Sequence, residues 1–351
     1  RYFSDRNTSK RSLTLNLKTD EGRDLADRLI LQSDVVSNNF TPGTMERLGL
    51  GYERMRALKP ELIYAEMSMQ GAEGPASKQL GYGSSIAALC GLLYLTAEPG
   101  RLPAGTGTNY PDHIPNPTHG AFAILSALRH RRRTGEGQYI EIPMYENMVS
   151  FVLAEHMGQL VHVGSDGPSG DLRVLDPLHQ PIKTKDSYIS VSANSDKQAF
   201  ALFEAIGQPE LKDDPRFCSV KARFQHVNAY NKVRNDGMLQ KTTAEWVETL
   251  DTLDVPAMPF NTFENLLEDP HLEDVGLIKE IDHPIEGRIR NIRLPTKTSA
   301  GWDETVRPAP SIGQDSAAIL SGLGCGDDAI EEMIDGGVLV QGSAEKAIPQ
   351  G

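Results

Sequence analysis

Asp34-Val-Val-Ser-Asn-Asn-Phe-Thr-Pro-Gly-Thr-Met-Glu-Arg47 reads as a short apolar strand, a turn carrying Pro42-Gly43, and a helix starting near Met45. The same order recurs on either side. Upstream, Arg11-Ser-Leu-Thr-Leu-Asn-Leu17 alternates with period two, as a strand does. Thr19-Asp-Glu-Gly22 then opens a helix with acidic residues in its first turn, continued by Leu25, Leu29 and Ile30. Downstream, Leu62-Ile-Tyr-Ala-Glu-Met-Ser68 is another strand, ending at Gly71. Strands alternating with helices predict a parallel α/β sheet. Ligands of such sheets sit in the turns at the carboxyl ends of the strands.

Residues 76–117 are rich in Gly and Pro and hold no long periodic stretch outside Ile86 to Leu95. An irregular segment of that length in a compact domain points to function. From Thr118 a helix runs to Leu128 and ends in Arg129-His-Arg-Arg-Arg-Thr-Gly135. The basic residues suit its negative end and Gly135 its cap. A strand over Gln138 to Ile142 and a helix from about Tyr145 follow, and Gly164-Ser-Asp-Gly-Pro-Ser-Gly170 reads as a linker. Further on, Ser187-Tyr-Ile-Ser-Val-Ser192 alternates as a strand, with helices over Lys197 to Ile206 and Thr243 to Leu253. Strands near Gly287 to Leu294 and a helix over Ser316 to Leu323 complete the chain. The expected organisation is a large domain over 1–150, a linker over 151–174, a small domain over 175–265, and a return to the large domain over 266–351.

Bulk properties exclude several classes. The 351 residues, 39% hydrophobic and 24% charged, are enough for a sizeable core, which rules against wholesale disorder. A net charge of -13 argues against a nucleic-acid binder, yet permits a phosphorylated ligand held in one local basic pocket. Cys90, Cys218 and Cys325 are far apart, which argues against a disulfide framework or zinc site and fits a reducing cytoplasm. No apolar run reaches the roughly 20 residues of a membrane span. No His spacing suits a metal.

Candidate chemistry is confined to a few positions. Gly81-Tyr-Gly-Ser-Ser and Gly105-Thr-Gly are short glycine pairs that complete neither a dinucleotide nor a P-loop fingerprint. The run Arg129 to Arg133 fits a solvated helix end. Lys18 and Arg47 each adjoin a strand-to-helix turn, where backbone N–H groups and one cation can hold a phosphate; a surface salt bridge is the alternative. Asp112 lies in Asn109-Tyr-Pro-Asp-His-Ile-Pro-Asn-Pro117. An Asp ahead of a helix usually caps it, but Pro115 and Pro117 set this one back from the expected start at Thr118. A carboxylate, ionised at neutral pH, can also attack an acyl centre without a general base. Both readings stand on spacing alone.

Taken together the segments resemble the family III CoA transferases, the group of formyl-CoA transferase and carnitine CoA-transferase. The carriers are Lys10-Arg-Ser-Leu-Thr-Leu-Asn-Leu-Lys-Thr-Asp-Glu-Gly22, Asp34 through Gly51, Pro60-Glu-Leu-Ile-Tyr-Ala65, Gly71, Gly74-Pro75 and Arg131-Arg-Arg-Thr-Gly-Glu-Gly-Gln138. The pairing of Asn39-Phe-Thr-Pro-Gly43 and Arg47-Leu-Gly49 with the later Arg-Thr-Gly-Glu-Gly-Gln is the specific part. The resemblance implies a Rossmann-like parallel-sheet large domain, a smaller α/β domain, and an interlocked homodimer of two threaded rings. It implies transfer of CoA from an acyl-CoA to a free carboxylic acid, through an anhydride and then a CoA thioester on a catalytic Asp that falls on Asp112. CoA-contacting positions fall on Leu15, Lys18, Asn39, Phe40 and Arg47, and an active-site aromatic position on Tyr82. Coenzyme A enters as substrate, and no permanently bound cofactor is implied.

Three departures accompany the resemblance. The family's first strand and helix would lie upstream of Arg1, so the chain is expected either to lack several dozen residues or to be completed by another polypeptide. Thr41 stands where a basic residue is usual, and the glycine-rich lid has no counterpart unless Gly164 to Gly170 serves. Two rival readings remain. An acyl-CoA racemase of the same family would carry a His-Asp pair where this chain has Tyr82-Gly83. A non-catalytic subunit would fit the missing start but not the retained Asp112.

Overall fold

The computed structural model describes residues 2–97, 100–160, 181–301 and 307–342. The chain divides into two compact units, Arg1–Arg173 with Leu277–Gly351, and Val174–Gly276. The first unit is built on three strands, β1 (Val35–Asn38), β2 (Ile63–Glu66) and β3 (Gln138–Glu141). They form a parallel sheet of order β1-β2-β3. Ile63, Tyr64 and Ala65 of the middle strand are fully buried, which is why its sequence is continuously apolar rather than alternating. The register sets Asn38 and Glu141 opposite Glu66, so the three carboxyl ends lie level.

Helices complete this unit in chain order. After α1 (Tyr2–Arg6), α2 (Asp20–Gln32) is capped by Thr19, whose hydroxyl accepts from Gly22 N at 3.1 Å. Its apolar side meets α3 (Thr44–Arg47), α4 (Tyr52–Leu58) and β2 in a core of Ala26, Ile30, Met45, Leu50, Met55 and Tyr64. Between β2 and β3 lie α5 (Gly83–Leu89), α6 (Leu92–Leu95), α7 (Tyr110–His113) and α8 (Pro115–Thr134). Gly135 caps α8 with φ of 81°, and Gly137 then passes so close to the residues leading into β2 that a Cβ there would lie 2.5 Å from the carbonyl carbon of Glu61. Those two glycines give the Arg-Thr-Gly-Glu-Gly-Gln stretch its spacing. From β3 the chain enters α9 (Met144–Leu160).

The second unit packs an antiparallel sheet of β4 (Ile182–Lys183), β5 (Tyr188–Val191) and β6 (Ala257–Pro259) against helices. These are α10 (Asp196–Ala205), α11 (Val220–Gln225), α12 (Val227–Met238) and α13 (Thr243–Asp251), followed by α14 (Phe263–Leu267) and α15 (Pro270–Asp274). Its core joins Ile189, Phe203, Phe217, Tyr230 and Trp246, and the indole N–H of Trp246 donates to Met238 O at 2.7 Å. Capping boxes at Ser195 with Gln198 and at Thr242 with Glu245 start α10 and α13. The first unit then resumes with the hairpin β7 (Ile278–His283) and β8 (Gly287–Ile292), and with α16 (Ser316–Gly322) and α17 (Asp327–Asp335).

Three sequence expectations change. Arg11 to Leu17 is no strand. It runs extended beside the residues ahead of α16 and after α17: Asp315 N donates to Ser12 O at 2.9 Å, and Asn16 N to Val338 O at 2.8 Å. Val340 N donates to Thr14 Oγ1 at 2.7 Å. Its leucines turn inward all the same, since Leu13 and Leu15 pack on a core of Leu25, Leu320, Ile330 and Met333. The helix expected from Thr118 begins at Pro115, because proline at a first helical position needs no N–H partner. Asp112, expected in irregular chain, sits in the one-turn helix α7. The stretch Gly164 to Gly170 lies outside the described residues. Among the described residues no helix is long and apolar enough to cross a membrane.

Candidate active site

Asp112 is half-buried near the end of α7. Its carboxylate has two close neighbours. Asn109, at the N-cap of α7, donates its side-chain amide to Asp112 Oδ2. Gly83, the buried first residue of α5, faces the same carboxyl group: a Cβ on Gly83 would lie 2.6 Å from Asp112 Cγ and 2.5 Å from Asn109 Oδ1. Only a residue without a side chain leaves Asp112 this position. Tyr82 precedes Gly83 in the chain and is 82% exposed, so its ring is available to a ligand.

The helices around Asp112 rest on the ends of the sheet. α7 packs on α5, α8 and α9. Ile86 of α5 is buried against Met148 and Val152 of α9, with Met69 from the segment after β2 packed beside them. Met144 N donates to Ser68 O at 2.9 Å and Tyr145 N to Met69 O at 3.0 Å, tying the start of α9 to that segment. Asn116, 4% exposed on α8, accepts from Asn147 Nδ2 at 2.8 Å, while His119 Nδ1 meets Asn147 Oδ1 at 2.7 Å. This polar bridge fixes α8 on α9 one turn beyond Asp112. Asp112 is thus carried on α7 between α5, the first helix after β2, and α9, the helix that follows β3.

The remaining candidate residues gather at another place in the same unit. Asn39 and Phe40 follow β1 and are exposed, and Phe40 N donates to Asn38 Oδ1 at 3.1 Å. Arg47 is exposed on α3, its guanidinium folded back to donate to Thr44 Oγ1 at 2.6 Å. Lys18 is exposed just ahead of the Thr19 cap of α2. Leu15 is half-buried on the same core as Met45 and Leu48, so the segments bearing Lys18 and Arg47 share one foundation. Among the described residues no hydrogen bond or ion pair joins this group to Tyr82 and Asp112. A cleft of about 560 Å³ nearby is lined by Gly43, Glu46, Tyr52, Glu66, Tyr139 and others, but by neither Lys18 nor Arg47. Its floor is a polar chain across the strands: Asn38 Nδ2 donates to Glu66 Oε1 at 3.1 Å and the Tyr139 hydroxyl to Glu66 Oε2 at 2.6 Å. Burial, then the bond to Glu66, pushes the Tyr139 hydroxyl pKa up. Its lining carries Glu46, Glu53 and Glu66 against one cation, Arg54, which is itself paired with Asp27.

Of the basic run after α8, Arg131 has a structural task. Its guanidinium donates to Asp34 Oδ1 at 2.7 Å, which anchors the entry to β1 and holds the Asp34 carboxyl below its usual pKa.

Residues 1–316 match the sequence profile described as CoA-transferase family III. The chain belongs to this family. It is 31% identical to the succinyl-CoA–D-citramalate CoA-transferase of Chloroflexus aurantiacus over 90% of this chain and 78% of that protein. It is 27% identical to the human succinyl-CoA:glutarate CoA-transferase over 97% and 78%. Among solved structures it resembles a CAIB/BAIF family protein from Brucella suis, with TM-score 0.77 and 31% identity over 92% of this chain and 84% of that one. It also resembles Rv3272 from Mycobacterium tuberculosis, with TM-score 0.80 and 27% identity over 91% and 84%. The protein is a CoA-transferase with a mixed α/β fold.

Three features of the site lie outside the residues singled out by sequence: the contact of Gly83 with Asp112, the Asn109 amide, and the Asn116–Asn147–His119 bridge. The first and third join residues far apart in the chain and carry no local signal. Asn109 had one, being three residues before Asp112 across a Tyr-Pro pair.

Proposed function

We propose that Asp112 is the nucleophile of this CoA-transferase. Its free oxygen, Oδ1, attacks the thioester carbon of the donor acyl-CoA; the C–S bond breaks and CoA leaves as thiolate, giving a mixed anhydride. The thiolate then attacks the Asp112 acyl carbon and releases the donor acid as carboxylate, leaving CoA as an aspartyl thioester. The acceptor carboxylate enters by the reverse sequence, and Asp112 is regenerated with no net proton transfer. The observation that carries this reading is the seating of the Asp112 carboxylate against Gly83, in space that any side chain at 83 would fill. The same glycine puts no ionisable group where a racemase would need one to abstract a proton.

The named activities of the relatives support succinyl-CoA as donor and a dicarboxylic acid as acceptor. Intact-mass measurement after mixing with succinyl-CoA tests both parts. A CoA adduct is expected, discharged by glutarate much faster than by butyrate; absence of any adduct on Asp112 would overturn the reading.

Leu15, Lys18, Asn39, Phe40 and Arg47 are the proposed CoA contacts, with Tyr82 lining the reacting end. Exposed cations beside the turns after β1 and before α2 support this, since Arg47 and Lys18 can meet phosphate oxygens without leaving a buried ion pair. Arg47→Ala is expected to raise KM for acyl-CoA about tenfold and leave KM for the acid acceptor nearly unchanged. Equal rises for both substrates would remove Arg47 from the CoA site.

A homodimer of interlocked chains completes the proposal. Phe122 and Leu125, three apart on α8 and 72% and 65% exposed, support a protein partner over that helix. Light scattering on the eluted protein is expected to give twice the chain mass, and a monomeric mass at micromolar concentration would refute the dimer.

A further inference from the structure

Asparagine is among the residues best suited to cap a helix, and Asn109 stands at the N-cap of α7, yet its side chain bonds none of that helix's backbone N–H groups. The amide Nδ2 donates to Asp112 Oδ2 instead. Gly83 closes the other side of both groups, at a distance where even a Cβ would touch Asn109 Oδ1 and Asp112 Cγ. The amide is therefore aimed at one carboxylate oxygen and leaves the other for attack.

We infer that Asn109 is a catalytic residue, the donor that stabilises the oxyanion formed on Asp112 itself each time its acyl carbon is attacked. The inference rests on Asp112 being the nucleophile. Once Oδ1 has bonded to the acyl group of the donor, Oδ2 is the carbonyl oxygen of an anhydride. When CoA thiolate attacks that carbon, a C–S bond forms and the carbonyl electron pair moves onto Oδ2. Collapse of the intermediate restores the carbonyl and breaks the bond to Oδ1, and the donor acid leaves as carboxylate. Asn109 keeps its proton throughout and only strengthens its hydrogen bond while Oδ2 carries the charge. In the preceding step, attack of Asp112 on the thioester, charge leaves Oδ2, so the same bond gives no help there. The two half-steps thus differ in their need for Asn109.

That difference supplies the test. Asn109→Ser removes the amide and leaves a residue able to cap α7; Asn109→Ala removes the amide and offers no cap. Each variant and the wild type are mixed with succinyl-CoA without acceptor, quenched at short times, and weighed intact, since the acyl anhydride and the CoA thioester of Asp112 differ in mass. For both variants kcat is expected to fall by about 10²-fold, the usual effect of losing one oxyanion donor. The acyl adduct is expected to accumulate over the CoA adduct, relative to wild type. Wild-type kcat and adduct ratio in Asn109→Ser would overturn the assignment. So would a fall in kcat with an unchanged ratio, which marks a purely structural role. A wild-type enzyme that forms neither adduct would overturn the nucleophile reading itself, and the inference with it.

Discussion

Asp112→Ala is expected to lower kcat by about 10⁴-fold or more, as loss of a covalent nucleophile does, while shifting the unfolding temperature by no more than a few degrees. The two effects separate because of where the residue sits. Asp112 is half-buried in a helix of four residues, and the hydrogen bond its side chain receives comes from Asn109. Removing the carboxylate leaves one amide to be met by water, a cost of about 1 kcal/mol. The isosteric Asp112→Asn should behave alike, since it keeps the shape and loses the charged oxygen. Circular dichroism and thermal melting check the fold, and steady-state kinetics with intact-mass adducts check the chemistry. A variant retaining more than about a hundredth of wild-type kcat would end the nucleophile assignment, because the covalent route supplies several kcal/mol.

The parts of the fold that could be read in advance are those whose signal is local. Val35 to Asn38, the Pro42-Gly43 turn and the helix at Met45 follow one another within a few residues, and the structure repeats that order. Arg11 to Leu17 shows the limit. Period-two alternation reports that Leu13, Leu15 and Leu17 face one way, and Leu13 and Leu15 do pack inward. Whether the backbone joins a ladder depends on its partner, and the partner here is an irregular segment some three hundred residues later. Prolines misled in a different way. By sequence Pro115 and Pro117 read as spacers before a helix, whereas Pro111 and Pro115 stand in the first turns of α7 and α8, where a missing N–H costs nothing.

The site divides along the same line. Asp112 was conspicuous because a carboxylate stood in a Gly- and Pro-rich segment. Lys18 and Arg47 stand out in the sequence beside strand-to-helix turns, whereas Leu15, Asn39, Phe40 and Tyr82 rest on resemblance alone; Leu15 packs on the core that also carries Met45 and Leu48, and Tyr82 precedes Gly83. What spacing could not supply is the packing of residue 83 on residue 112. Gly81-Tyr-Gly83 completes no ligand-binding fingerprint, and a glycine demanded by an atom of a distant residue is indistinguishable in sequence from one demanded by a turn.

That glycine yields the second large prediction. Gly83 has no positive φ and opens a helix, so on backbone grounds alone Gly83→Ala should be harmless or mildly stabilising. The new methyl group, however, would occupy the space of the Asp112 carboxylate and the Asn109 carbonyl oxygen. Both obstacles are ends of side chains that can rotate away, so relief is cheap for stability and the melting temperature should move by only a few degrees. Relief is costly for chemistry. A displacement of about 1 Å at the reacting group is worth on the order of 10²-fold, and disturbing the Asn109 donor adds to it. Gly83→Ala is therefore expected to lose about 10³-fold in kcat, with KM for acyl-CoA changed severalfold at most. The larger Gly83→Leu should lose activity and stability together, because a longer side chain cannot be accommodated by rotating Asp112 alone. Wild-type turnover in Gly83→Ala would mean that the carboxylate does not work from the place it holds beside α5.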